Sequence, residues 1–337
     1  MTGLEFYAVV LLVYLFTDLL AIWGLNLEFG VAGVANLAYI VVIAAGAYTY
    51  SVLTLGPASA GGGFQRYIIG LSLPFPVAIA AAAAVGAAVG ALIGITGLRR
   101  LRPDYQAMVM LVVSLMAASV VGADKALFNG YAGLSLIPNP FDVVADPNAY
   151  WYYLAVVAGV CLVGFLVLRR FTTGPMGRTL RAMRDDEQAA AAAGKNIVNL
   201  RLLVQAVGGA FGALSGALLV AFIGGWSPGA WAFVETLALL TAVIVGGRGS
   251  DFGATVGALL IPILILQGVQ FLPKIQAHPG LTEDFGWITL GVLTIAFIWA
   301  RPVGILPEHR PRYGRRSPLP PLSPARGEGV DGSGASS

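Results

Sequence analysis

The sequence predicts an all-α, polytopic membrane protein with about nine membrane-spanning helices, eight to ten being possible. Hydrophobic residues make up 57% of the 337 residues and charged residues only 11%, whereas soluble domains contain roughly 25% charged residues. Apolar runs of about 20 residues, the length that crosses a bilayer core, recur along the chain. The basic residues are concentrated in alternate connections between these runs, which is typical of proteins that cross a membrane repeatedly.

The apolar runs define the predicted spans in order. They cover residues 5–25, 31–55, 74–98, 105–122, 150–168, 201–223, 232–247, 252–272 and 285–300. No Lys or Arg precedes the first run, so we expect a retained span and not a cleavable signal peptide. The spans form a predicted transmembrane domain of residues 1–306. Residues 307–337 are rich in Pro, Gly, Ser and Arg, which predicts a disordered cytoplasmic tail able to contact membrane lipid.

The charged segment of residues 169–201 sets the predicted orientation. If it lies inside and the nine spans alternate, every basic residue except Arg66, Lys125 and Lys274 lies inside. An excess of Lys and Arg on the cytoplasmic side is the usual pattern in membrane proteins. The sequence therefore predicts an external N-terminus, an external 123–149 segment and a cytoplasmic C-terminus.

Four polar residues interrupt the apolar runs. Asp18 lies in the middle of the first span, Glu235 lies early in the seventh, and Asn26 and Asn36 lie near the start of the second. Ionisable groups at membrane depth are costly and frequently functional, so these residues are candidates for a translocation path or an intramembrane polar site. The alternative is that they cap helices or pair with other groups inside the bundle.

Glycines at intervals of four residues predict close helix packing in two spans, because small residues let helix backbones approach. These glycines are Gly86, Gly90 and Gly94 in the third span and Gly208, Gly212 and Gly216 in the sixth. In residues 24–50 the glycines and asparagines weaken a continuous helix and suit either close packing or an unwound segment that faces a cavity. We assign no chemistry to the packing glycines.

Within the charged segment, residues 176–193 predict a short amphipathic helix. Gly174–Pro175 precede it, and proline fits the first helical turn because its missing N–H would have no partner there. Gly194 is a natural stop for the helix. Met176, Leu180 and Met183 recur at helical spacing and form an apolar stripe.

The charged side chains of this helix lie away from the stripe. Their spacing predicts the ion pairs Arg181–Asp185 and Arg184–Glu187 along the polar face. Two interpretations stay open from the residues alone. The segment is either a basic loop that fixes the orientation of the protein in the membrane, or a docking helix that a soluble partner binds in a groove.

The residues needed for several kinds of active site are missing from the sequence. Gly194–Lys195 is followed by Asn196, and no glycine stands five residues earlier, so there is no phosphate loop for ATP. His278 and His309 are the only histidines and Cys161 is the only cysteine, so we predict no metal site, cofactor, disulfide or catalytic triad. The protein is predicted not to be an enzyme, and active transport would need energy from another subunit.

Five stretches resemble the permeases of branched-chain amino-acid ABC importers. The charged segment GPMGRTLRAMRDDEQAAAAAGKN, followed by RLLVQAVGGAFGALSGAL, is similar to the family's cytoplasmic loop and next helix. The other four are GLNLEFGVAGVANLAYIVVIAAGAYTY, LRRLRPDYQAMVML, SPGAWAFVETLALLTAVIVGGRGSDFGATVGA and RPVGILPE. Pro103 stands where the family has glycine, and Thr236 where serine is common. The matches keep their order over residues 24–308.

The resemblance implies that the 174–196 loop couples the permease to separate ATPase subunits. Glu187, Ala189, Ala190 and Gly194 stand in the family's Glu-Ala-Ala…Gly pattern, with Gln188 where the general motif has glutamate. The apolar stripe would enter a groove on the ATPase, with the arginines at its rim. The implied coupling residues are Gly177, Arg178, Leu180, Arg181, Met183, Arg184, Glu187, Ala189, Ala190 and Gly194.

The resemblance also implies partners, location and substrate. The partners are a second related permease, two ABC ATPase subunits and an external substrate-binding protein, in a bacterial plasma membrane and without nucleic acid. The implied substrates are branched-chain amino acids, and the same family also serves urea and short amides. Two other classes are considered beside it. An ion-coupled secondary carrier or channel would use Asp18 or Glu235, whereas a membrane enzyme lacks any catalytic constellation in this sequence.

Overall fold

The computed structural model describes residues 3–57, 65–96, 103–141, 148–231, 233–268, 281–301 and 303–308. Helices make up most of these residues. The α-helices are α1 (Gly3–Leu25), α2 (Tyr39–Thr54), α3 (Phe75–Thr96), α4 (Pro103–Ala123), α5 (Lys125–Phe128), α6 (Ala149–Thr173), α7 (Pro175–Asp185), α8 (Glu187–Ala192), α9 (Ile197–Ile223), α10 (Phe233–Gly246), α11 (Asp251–Ala258) and α12 (Leu281–Ala300). Two π-helical segments, Asn26–Val31 and Leu259–Gln267, continue α1 and α11.

Apolar helices occur at all nine positions where the sequence predicts a span. Within the described ranges, six are long and apolar enough to cross a membrane: α1 with its extension, α3, α4, α6, α9, and α10 with the turn before it. The helices Tyr39–Thr54, Asp251–Gln267 and Phe285–Ala300 are apolar but shorter. The predicted all-α, polytopic membrane class is confirmed.

The second predicted span begins later than expected, at Tyr39 instead of residue 31. The first span does not stop at residue 25 but continues as the π-helix Asn26–Val31, and an irregular stretch follows before α2. Gly33 in this stretch has a φ of +75°, a backbone conformation that side chains with a Cβ rarely adopt. The prediction that residues 24–50 do not form one continuous helix is therefore confirmed.

Helix α9 lies at the centre of the bundle and packs against α1, α2 and α3. Its glycines let neighbouring backbones approach, as their spacing predicts. A Cβ at Gly216 would lie 2.0 Å from the carbonyl oxygen of Ile43 on α2, and one at Gly86 on α3 would lie 2.1 Å from the Cβ of Ala213. These contacts confirm that the two sets of glycines serve packing.

The outer helices α4 and α6 keep large apolar side chains on their surfaces. Met116 and Leu115 of α4 and Leu162 and Leu166 of α6 are all more than half exposed. In water such a surface would be unfavourable. In a bilayer it is the surface expected to face lipid.

A small connecting layer covers the end of α9 that lies away from α8. Strands β1 (Leu134–Ser135) and β2 (Gly225–Trp226) pair antiparallel there, with Leu134 opposite Trp226. The Phe128 ring at the end of α5 stacks on Tyr48 of α2, with ring centroids 4.4 Å apart. The 123–149 segment thus folds onto the bundle without crossing it, in the part that the structure describes.

Some predictions concern residues outside the described ranges. They are the basic turn at residues 99–102, the end of the 252–272 span, the loop containing His278, and the tail from residue 309 onward. Of the predicted tail, residues 307 and 308 are described.

Candidate functional site

The charged segment folds as two short helices and not as the single helix predicted for residues 176–193. Asp186, between α7 and α8, has extended backbone angles of φ −154° and ψ +105°. Its carboxylate accepts a hydrogen bond from the N–H of Ala189 at 3.0 Å and so caps α8. The single-helix prediction is wrong because aspartate favours the N-cap position over a helix interior. Gly194 ends α8 with a φ of +78°, as predicted.

The apolar stripe of α7 is covered by the chain's own core. Leu180 is fully buried, Met183 is 4% exposed, and Met176 packs partly buried against the same core. A Cβ at Gly177 would lie 2.0 Å from the carbonyl oxygen of Thr172, so α7 folds back tightly on the end of α6. The expectation that Leu180 and Met183 insert into an ATPase groove is therefore wrong, because both side chains already have partners within the subunit.

The opposite side of α7 and most of α8 remain exposed. Among the predicted coupling residues, Arg178, Glu187, Ala189 and Gly194 are exposed, whereas Ala190 is buried. We call the exposed set the loop surface. It consists of Arg178, Ala182, Asp185, Asp186, Glu187, Gln188, Ala189, Ala191, Ala192, Ala193, Gly194 and Lys195. Five of these are alanines, so the surface offers close backbone approach to whatever binds it.

The half-buried arginines of α7 pair with a residue far along the chain. Arg181 Nε contacts Glu308 Oε1, and Arg184 Nη2 donates to Glu308 Oε2 at 2.9 Å. Glu187, in turn, pairs with Arg201 at 2.7 Å. These contacts take the place of the predicted pairs Arg181–Asp185 and Arg184–Glu187.

Both arginines also bind backbone carbonyls. Arg184 Nη1 donates to the carbonyl oxygen of Gly30, in the π-helical extension of α1. Arg181 Nη1 donates to the carbonyl oxygen of Thr172, at the end of α6, at 3.0 Å. A Cβ at Gly249, in the turn between α10 and α11, would lie 2.9 Å from Arg184 Nη1. Helix α7 is thereby hydrogen-bonded to the α1 extension and to the end of α6, and it packs against the α10–α11 turn.

A further arginine lies near this network. The Arg248 guanidinium stands over the Phe29 ring at 4.7 Å from its centroid. Burial and, next, the Arg184 guanidinium lower the pKa of Arg248, while Asp185 and Glu308 oppose the shift. Arginine keeps its charge throughout the physiological range, so the region combines several fixed positive charges with the Glu308 carboxylate.

Asn26 joins the end of the first span to the α10–α11 turn. Its Oδ1 accepts from the N–H of Gly249 at 2.9 Å, and its Nδ2 donates to the carbonyl oxygen of Ser250 at 3.4 Å. The side chain is fully buried. The contacts of Asn26 therefore hold the α10–α11 turn to the π-helical extension of α1.

Asn36 binds a buried glutamate that sequence reasoning missed. Its Nδ2 donates to Glu28 Oε2 at 2.8 Å, and Glu28 is fully buried. The second oxygen, Glu28 Oε1, has no hydrogen-bond partner among the described groups. Glu28 lies between the first two predicted spans. A carboxylate with apolar residues on both sides is the sequence feature that could have identified it.

Asp18 on α1 and Glu235 on α10 are both half-buried, and their two helices pack against each other. Asn26 and Asn36 serve the separate contacts described above. Among the described residues, no group of three or more His, Cys, Asp or Glu side chains is placed to hold a metal ion.

Comparison with known proteins points to one family. Residues 7–298 match the family model for the permease component of branched-chain amino acid transport systems. The chain is 26% identical to the probable branched-chain amino acid transport permease protein LivM of Methanocaldococcus jannaschii, over 85% of this chain and 89% of that protein.

Two further relatives are bacterial. Identity is 28% to the high-affinity branched-chain amino acid transport permease LivM of Salmonella typhimurium, over 87% of this chain and 68% of the relative. Identity is 26% to the corresponding LivH permease of Escherichia coli, over 84% and 89% of the two chains. No solved structure was found to match the chain.

Proposed function

We propose, because this chain belongs to the branched-chain amino acid transport permease family, that it is the membrane-spanning subunit of an ATP-driven importer. ATP hydrolysis resides on separate ATPase subunits that bind the loop surface of α7 and α8. The observation that supports this most directly is the exposed, alanine-rich loop surface, which is attached to the bundle through Arg181 and Arg184. The small side chains of this surface let a partner approach the helix backbone closely.

The proposed assembly contains a second related permease, two ATPase subunits and an external substrate-binding protein. The names of the relatives support branched-chain amino acids as its substrates. Urea and short amides are alternative substrates within the same architecture. The binding protein selects among them, and the permease provides the path.

A second candidate, an ion-coupled secondary carrier, is favoured by the half-buried carboxyls of Asp18 and Glu235 on the contacting helices α1 and α10. Intramembrane acids are the usual ion-coupling groups in such carriers. In an ATP-driven importer neither carboxyl has to bind a coupling ion. The two functions therefore differ in what Asp18→Asn does to transport.

Uptake by proteoliposomes distinguishes these functions. We expect the full assembly to take up leucine, isoleucine and valine only with ATP on the ATPase side, and to leave urea and acetamide behind. Asp18→Asn should keep transport above about one third of the unaltered rate, allowing for a modest effect of the substitution on stability. Uptake that depends on an imposed proton gradient, does not require ATP and is lost in Asp18→Asn would instead establish the secondary carrier.

The proposed orientation places the loop surface in the cytoplasm and the β1–β2 layer outside. The distribution of basic residues supports it. In a Cys161→Ala background, we expect a membrane-impermeant thiol reagent to label Tyr131→Cys in intact cells, because Tyr131 is 69% exposed. Lys195→Cys, on the loop surface, should react only after the membrane is opened. The opposite labelling pattern would reverse the orientation.

A further inference from the structure

Glu308, in the short segment after α12, holds two of the three arginines of α7, Arg181 and Arg184. We propose that Glu308 is a positioning residue for energy coupling: it ties α7 to the α1 extension and to the α10–α11 turn, so that movement of α7 reaches the spans. This inference rests on the proposed function, and it assigns the transmitting contacts within this subunit.

Glu308 is held as a bridge between two positive charges. Its two carboxylate oxygens bind different arginines, Arg181 through Nε and Arg184 through Nη2. The side chains of Glu308 and Arg184 are only 10% and 8% exposed. Charge-assisted hydrogen bonds are stronger than neutral ones and are weakened less by salt when they are shielded from water. The bridge is therefore suited to transmit force between segments.

Arg184 extends the bridge to the first span. Its Nη1 donates to the carbonyl oxygen of Gly30, near the end of the π-helix, where helical carbonyls otherwise lack partners. Two glycines with positive φ, Gly33 and Gly249, leave room for the arginine. A Cβ at Gly33 would lie 2.7 Å from Arg184 Cγ. Displacement of α7 therefore acts directly on the end of the α1 extension.

The backbone around Glu308 extends the bridge to α10. The N–H groups of Ile305 and Leu306 donate to the carbonyl oxygens of Val245 and Gly246, both at 2.9 Å. These are the last residues of α10. The residues before Glu308 are thereby fixed to the α10–α11 turn, and Asn26 connects that turn to the α1 extension. The contacts form a closed circuit around Arg184.

The bridge is separate from the loop surface. Arg181 and Arg184 are half-buried and point at Glu308, whereas the proposed docking residues such as Ala189 and Gln188 are exposed. Loss of the bridge should therefore leave ATPase binding intact and impair the transfer of movement. A residue that served docking alone would give the reverse pattern.

The test compares Glu308→Gln with the unaltered permease in the full assembly. We expect ATPase subunits to co-purify normally and basal ATP hydrolysis to stay within about twofold, while leucine uptake falls about tenfold or more, because the substitution removes the charged hydrogen bonds that hold Arg181 and Arg184 to the segment after α12. The ATP hydrolysed per leucine should rise accordingly. Glu5→Gln makes the same change from carboxylate to amide at the opposite end of α1 and serves as the control. Leucine uptake and the ATP hydrolysed per leucine should both stay unchanged in this variant.

A double substitution tests whether Glu308 acts through Arg184. Contacting residues that act as one unit have non-additive effects. Uptake by Arg184→Gln/Glu308→Gln should therefore be no lower than about half that of Glu308→Gln alone. If Glu308→Gln does not assemble, Glu308→Asp keeps the charge but withdraws it by one methylene, and should show full assembly with intermediate uptake.

Three outcomes would overturn the proposal: normal uptake by Glu308→Gln, loss of the ATPases together with uptake in both Glu308→Gln and Glu308→Asp, or independent effects of the Arg184 and Glu308 substitutions. If the unaltered assembly takes up no branched-chain amino acid, the proposed substrate is wrong. Hydrogen exchange of backbone N–H groups then tests the Glu308 proposal independently of the substrate. Addition of ATP should then alter amide exchange of residues 26–33 and 247–250 in the unaltered assembly and not in Glu308→Gln. An equal change in both would overturn it.

Discussion

Replacing Ala189 by arginine is expected to weaken binding of the ATPase subunits by about ten- to a hundredfold. Ala189 is exposed at the start of α8, on the alanine-rich loop surface. If a partner packs closely there, a long charged side chain overfills the contact, and overpacking costs about 1–3 kcal/mol. Co-purification of the ATPases with the tagged permease, at a series of concentrations, measures the effect. ATP-driven uptake should fall in parallel.

The control for Ala189→Arg is Ala126→Arg. Ala126 is an exposed alanine in α5, on the side of the protein proposed to be external. It should leave ATPase binding unchanged, which separates a local effect from a general effect of added charge. Normal ATPase binding by Ala189→Arg would show that α8 is not a contact surface.

Replacing Leu180 by aspartate is expected to destabilise the permease itself. Leu180 is fully buried in the core of its own subunit. Removing a buried leucine side chain costs about 2–5 kcal/mol, and an unpaired buried carboxylate adds to that cost. We expect a lower yield of folded permease and a lower midpoint of thermal unfolding in detergent. ATPase binding should be lost only as far as folding is lost.

The matched control keeps the volume of the side chain. Leu180→Met should cost less than about 1.5 kcal/mol, because the two side chains fill similar space. Normal stability of Leu180→Asp together with complete loss of the ATPases would mean that Leu180 faces the partner and not the subunit's core. Together, the two variants distinguish residues that bind the ATPase from residues that stabilise α7 within the permease. Ala189→Arg should lower ATPase binding, and Leu180→Asp should lower permease stability.

The sequence predicts the helices well because their signal is local. The third span was predicted at residues 74–98 and α3 covers Phe75–Thr96, since an unbroken apolar run has few alternatives in a membrane. The glycine spacing likewise identifies the contacts of α9, because a missing side chain acts at its own position. Asp186 divides the predicted loop helix for an equally local reason, because its carboxylate caps α8. The single helix was predicted because the residues on both sides of Asp186 are strong helix formers.

The contacts that organise the loop could not be predicted in the same way. Arg184 and Glu308 are separated by 124 positions, and no periodic pattern relates them. Glu308 also follows an apolar span and begins a stretch whose composition predicts disorder. The amphipathic pattern correctly distinguishes a buried face of α7 from an exposed face. It does not tell whether the buried face is covered by the same chain or by a partner.

The glycine contacts of α9 also limit which parts of the protein can move during transport. Where Gly216 meets the carbonyl group of Ile43 on α2 and Gly86 of α3 meets the carbonyl group of Gly209 on α9, backbone lies against backbone, and no flexible side chain stands between them to absorb a displacement. Such close-packed contacts do not deform gradually. We therefore expect helices α2, α3 and α9 to keep their positions relative to one another during transport. We expect the movements of transport to occur outside this group of helices, at the π-helical extensions and at the junction between α6 and α7.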